Sequence, residues 1–106
     1  MGNDEVQIVS RDFWFKIVDF LQQNWALIDQ QENKKVRVFF VHDASGVFDT
    51  MVFDSEDEAE QGLLRNGFKR FADDQKTQKF ICPPKGPFVK ALHPNGPIYS
   101  SGRFWR

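Results

Sequence analysis

The residues best suited to metal ligation or nucleophilic catalysis are two histidines, His42 and His93, and one cysteine, Cys82. A metal site needs three or four ligands at patterned spacing, and a Cys-His nucleophile pair needs a third group to orient the base. These three residues stand singly: His42 ends an apolar run, Cys82 follows one, and His93 precedes a proline. Structural or solvent-exposed roles account for the histidines, and Cys82 is expected to be a small buried residue. The carboxylates Glu56, Asp57, Glu58 and Glu60 lie close together, but helix capping, dipole complementarity and solubility explain each of them without a cation. The stretch 43–46, Asp-Ala-Ser-Gly, has turn chemistry and no EF-hand spacing. Tyr99-Ser100-Ser101-Gly102 is not a nucleophile elbow, and no glycine-rich phosphate loop occurs. The sequence thus predicts no catalytic residue, no metal and no cofactor, and it leaves room only for an enzyme built from Asp, Lys and Tyr.

The charge distribution is more informative. From residue 1 to 74 there are eight Lys and Arg against fifteen Asp and Glu, a net of −7. From residue 75 to 106 there is no acid, while Lys76, Lys79, Lys85, Lys90, Arg103 and Arg106 give +6. An acidic body with a basic final third points to an anionic partner, or to a tail that lies on its own body. Lys85, Lys90, Arg103 and Arg106 with the rings of Tyr99, Phe104 and Trp105 are the candidate binding residues. Phe15 joins them, because it falls among the polar positions of a predicted helix and hints at apolar surface beyond one core. A protein partner, or a second copy in a homodimer, is the leading expectation. Single-stranded nucleic acid, held by phosphate contacts and ring stacking, is the alternative, although the chain as a whole is slightly acidic and matches no RNA-recognition signature.

These groups must be positioned by a small scaffold. The 106 residues suit one core, and twelve Phe and three Trp give it much to bury, each buried Phe contributing roughly 1.5–3 kcal/mol. After a flexible lead over residues 1–9, Ser10 can cap a first helix running to about Asn24. At 100° per residue, Phe13, Trp14, Ile17, Val18, Phe20 and Leu21 fall within one buried arc, and Phe15 falls outside it. Residues 25–29 could continue the helix or begin a strand, and a strand is expected. Residues 36–42 and 47–53 are β-branched and aromatic on both alternating faces, and they predict a hairpin closed by the turn at 43–46. Ser55 to Glu58 forms a capping box that starts a second helix, which Asn66-Gly67 ends with Phe68 folding back onto Leu63 or Leu64. Residues 68–71 and 78–82 are candidate short strands. Between 83 and 102 lie all five prolines, so the segment 83–106 is expected to be irregular yet packed on the body through its apolar residues.

The expectation is one α+β domain over residues 1–106: an antiparallel sheet of three to five strands centred on the hairpin, packed by two helices, with an irregular Pro/Gly-rich C-terminal segment. A lone cysteine allows no disulfide within the chain, and no apolar run approaches membrane-spanning length, so a reducing, cytoplasmic setting is expected, without a membrane partner.

Overall fold

A computed structural model describes residues 5–19, 22–31, 34–43 and 45–90. The strands are β1 (Glu5–Val6), β2 (Trp14–Asp19), β3 (Gln22–Gln30), β4 (Val36–His42), β5 (Gly46–Phe53), β6 (Lys69–Arg70) and β7 (Phe88–Lys90), and the one α-helix among the described residues is α1 (Glu56–Arg65). The strands form a single sheet in the order β1-β7-β5-β4-β3-β2-β6. Every neighbouring pair is antiparallel except β5 and β7, which run parallel. The fold is therefore a seven-stranded mixed sheet with one helix, which corrects the expected antiparallel sheet of three to five strands packed by two helices.

The main correction lies at residues 13–24, where a helix was expected. Trp14 to Asp19 is a strand paired with β3, with Trp14 opposite Ala26 and Phe15 opposite Trp25. Both faces of this strand are covered at Trp14 and Phe15, and Ile17 is exposed. Trp14 packs with the helix side of the sheet, and Phe15 packs on the other side against Trp25 and Phe71. A strand buried on both faces lacks polar alternation, and its run of rings and β-branched residues also fits a broad helical arc. The misfit of Phe15 was the mark of the second face. It is only 3% exposed.

The hairpin is as expected, with Val36 opposite Phe53 and a bulge that shifts register between Phe40 and Val41. Residues 25–29 lie within β3. The helix begins as the capping residues require, the Ser55 Oγ accepting from the Glu58 amide, and it ends at Asn66-Gly67, with Gly67 at a φ of 92°. The Phe68 amide then donates to the Leu63 carbonyl, and its ring joins the core beneath Leu63. Of the two candidate short strands, the first shrinks to β6, and 78–82 contains no strand: Thr77–Lys79 is a 3-10 turn. Of the 83–106 segment, residues 83–90 are described, and there Phe88–Lys90 adds a strand between β1 and β5; residues 91–106 lie outside the described residues. At the other terminus, Glu5 and Val6 pair with Val89 and Phe88, and Ile8 is buried, so the described part of the lead is built into the sheet.

Two cores follow from the two sheet faces. On the helix side, Trp14, Ala26, Val36, Val38 and Phe40 pack against Ala59, Leu63 and Phe68. On the other, Phe15, Trp25, Leu27, Phe39 and Val41 are covered by Ile8 and Phe13 from the β1–β2 connection, Phe71 and Ile81 from the β6–β7 connection, and Phe88 of β7. No helix of the described residues is long and apolar enough to cross a membrane.

Candidate functional site

Polar side chains that the sequence offered for chemistry are mostly engaged in holding this sheet. His42 is buried at the end of β4 opposite Asn24, itself fully buried in β3. Burial pushes the His42 imidazole below its usual value, and the neighbouring Asp43 carboxylate opposes the shift only in part. Asp43 accepts from the indole Nε1–H of Trp25 at 2.8 Å and from the Gln23 amide at 3.0 Å. Its turn therefore anchors the largest buried ring. Asp29, buried in β3, accepts from the Val9 and Ser10 amides, both at 2.7 Å. Cys82 is exposed rather than buried as expected, because no strand forms before it, and His93 lies outside the described residues. Among the described residues no three His, Cys, Asp or Glu side chains are grouped to hold a metal ion.

Two open grooves flank α1. The first, about 410 Å³, is lined by Trp14, Glu60, Leu64, Lys69, Arg70, Asp73 and Asp74. Acids and cations converge here, as an enzyme built from Asp and Lys would need, but two of these groups already have structural tasks. Arg70 forms a forked ion pair with Asp12, each side chain about 40% exposed, which holds its pKa above the usual value. Asp74 accepts from the Thr77 amide at 3.1 Å, and this hydrogen bonding holds its pKa below the usual value. Glu60 has its carboxyl pushed up, first by partial burial and then by the nearby Glu56.

The second groove, about 560 Å³, lies between α1 and β5. Met51 and Phe53 of β5 supply an apolar side, and Asp57, Glu58, Gln61, Gly62 and Arg65 of α1 supply the facing wall. On the far side of β5 from β4, β7 pairs with Gly46 and Val47. Val52 of β5 is 47% exposed.

The residues expected to form a binding surface are dispersed. Phe15 is buried in the core beneath Phe71 and contributes no surface. Lys85 and Lys90 are exposed, and Lys90 sits on β7 opposite Val47. Tyr99, Arg103, Phe104, Trp105 and Arg106 lie outside the described residues. Sequence reasoning did not single out Met51, Val52 and Phe53 as surface. The only local signal was an apolar strand followed at once by an acidic helix start.

No known protein family matches the chain, and neither a curated protein nor a solved structure matches it.

Proposed function

We propose that this chain is a non-catalytic protein-interaction domain whose contact surface is the rim of the sheet at β7, together with the acid-free segment that begins after Asp74. One observation carries the reading: β7 sits next to the sheet's rim with Val89 and Lys90 exposed, and exposed Lys85 stands just before it. Apolar and cationic groups are thus presented together, which suits a protein surface better than either would alone. The described part of that surface carries four exposed lysines, Lys76, Lys79, Lys85 and Lys90, but on a chain of net charge −1, whereas nucleic-acid affinity grows with each phosphate neutralised. The opposite charges of body and final third also make two copies complementary to one another, and such fields steer encounter. A cytoplasmic, reducing setting suits a domain whose one cysteine is exposed and has no second cysteine to pair with.

Light scattering over a wide range of protein concentration tests the second-copy form. A mass that rises with concentration, and stays at one chain when Val89→Glu and Lys90→Glu are combined, is the expected result. A strict monomer removes that form and leaves a different protein as the partner. Titration with labelled single-stranded DNA and RNA at low and high salt tests the rival reading. Salt-sensitive binding that shifts the resonances of Lys85 and Lys90 would replace the protein partner with nucleic acid.

A further inference from the structure

We propose that Phe80 anchors a weak two-fold pairing of this chain with a second copy, each ring entering the other copy's groove between α1 and β6. The inference rests on the protein-interaction reading and names the anchor, the groove and the partner.

Phe80 is the one exposed aromatic side chain among the described residues, at 81%. The turn that carries it is fixed at each step. Asp74 accepts from the Thr77 amide through its carboxylate and from the Gln78 amide through its carbonyl, both at 3.1 Å. The Phe80 and Ile81 amides donate to the Thr77 carbonyl at 2.9 and 3.1 Å, and the Gln78 side chain reaches back to the carbonyls of Phe71 and Ala72. Ile81 packs on the core next to it while Phe80 stays in water. A ring held this way loses little conformational freedom when it is bound, and aromatic anchors seated in a partner's pocket carry most of a binding energy.

Cations flank the ring. Lys76 and Lys79 lie on the same turn, joined by the Lys79 amide and the Lys76 carbonyl, and residues three apart in such a turn share one face. Both are exposed, and neither forms an ion pair among the described residues. The groove of about 410 Å³ supplies the complement. Trp14 and the half-exposed Leu64 give it apolar surface for a ring. Its carboxylates, Glu60, Asp73 and Asp74, outnumber Lys69, because Arg70 is committed to Asp12.

Asp74 belongs to both features: it lines the groove and caps the turn. Ring and groove are therefore neighbours on one surface, and a two-fold axis beside them seats both rings at once, a contact that closes at the dimer. Single-stranded nucleic acid is bound by rows of stacking rings, and the next ring along the acid-free segment, Phe88, is buried. Two rings with their lysines cover less area than a permanent interface, so the pairing is transient and sensitive to salt.

Sedimentation and amide NMR of the full chain over a wide range of concentration test this. The expected result is a monomer–dimer equilibrium with no larger species, with concentration-dependent shifts at residues 76–81 and at Glu60, Leu64 and Asp73 that fade as salt is raised. Phe80→Ala and Leu64→Lys, both at exposed positions that leave the fold intact, should each weaken dimerisation about tenfold or more, whereas Ile17→Ala, exposed on β2, should leave it unchanged. An equal mixture of the first two variants regains one ring-in-groove contact and should associate more tightly than either variant alone. A strict monomer, larger species, shifts confined to another surface, dimerisation indifferent to Phe80→Ala, or no gain in the mixture overturns the proposal. Self-association that persists in Phe80→Ala but falls when Val89→Glu and Lys90→Glu are combined would sink this pairing and leave the interaction reading standing; a strict monomer with salt-sensitive binding of labelled single-stranded RNA would sink both.

Discussion

Asp29 should be the most consequential polar residue of the sheet, and replacing it tests how the non-helical face is closed. Its carboxylate is 7% exposed and takes two short hydrogen bonds, from the Val9 and Ser10 amides, at 2.7 Å each. Those amides lie between Ile8 and Phe13, both buried, in the segment that crosses the face formed by Trp25 and Leu27. Hydrogen bonds to a charged group contribute about 1.5–3 kcal/mol each. In Asp29→Ala both are lost, but Val9 is 88% exposed, so water reaches at least that freed amide and the penalty for an unsatisfied donor is small. The expected destabilisation is about 3–4 kcal/mol, a large share of the roughly 5–15 kcal/mol of an ordinary domain. Asp29→Asn keeps the shape and one acceptor and should cost about half as much. Urea unfolding followed by tryptophan fluorescence measures both, with amide exchange at Val9 and Ser10 as the local readout. A loss below about 0.5 kcal/mol in the alanine variant, or unchanged exchange at those two amides, would refute the idea that this carboxylate fastens the N-terminal segment.

The strand assignment of residues 14–19 makes opposite predictions from a helix at two neighbouring positions. Phe15→Ala should cost about 3–5 kcal/mol because the ring is buried against Trp25 and Phe71, whereas Ile17→Ala, at a site 61% exposed, should stay within about 0.5 kcal/mol. A helical arc reverses that order, so thermal unfolding of the pair decides between them. His42 predicts a pH dependence. Its folded pKa lies below the ordinary value of about 6.5, so the unfolded chain binds more protons there, and stability present above that value is lost as pH falls through it toward the lower folded value, with a slope of at most about 1.4 kcal/mol per pH unit. His42→Gln should flatten this part of the stability profile, and an unchanged slope would show that the imidazole is not the titrating group.

Features fixed by a few neighbouring residues were legible in the sequence alone. Ser55 had to cap α1 and Gly67 had to end it, because orphan helix amides and a positive φ are met by particular residue types within one turn. The hairpin at 36–53 was equally plain, since β-branched and aromatic residues on both faces suit a strand inside a sheet. The strand nature of residues 14–19 was not, because the periodicity of a strand covered on both faces merges with that of a broad helical stripe. Which faces are covered depends on Phe71, Phe68 and Leu63, more than forty residues away. β7 was hidden for a similar reason: three residues among prolines and glycines become a strand only when β1 and β5 flank them. The groove beside α1 belongs to the same class. Asp57 and Glu58 are ordinary helix-start acids in the sequence, and only the packing of α1 beside β5 sets them in one groove with Met51 and Phe53.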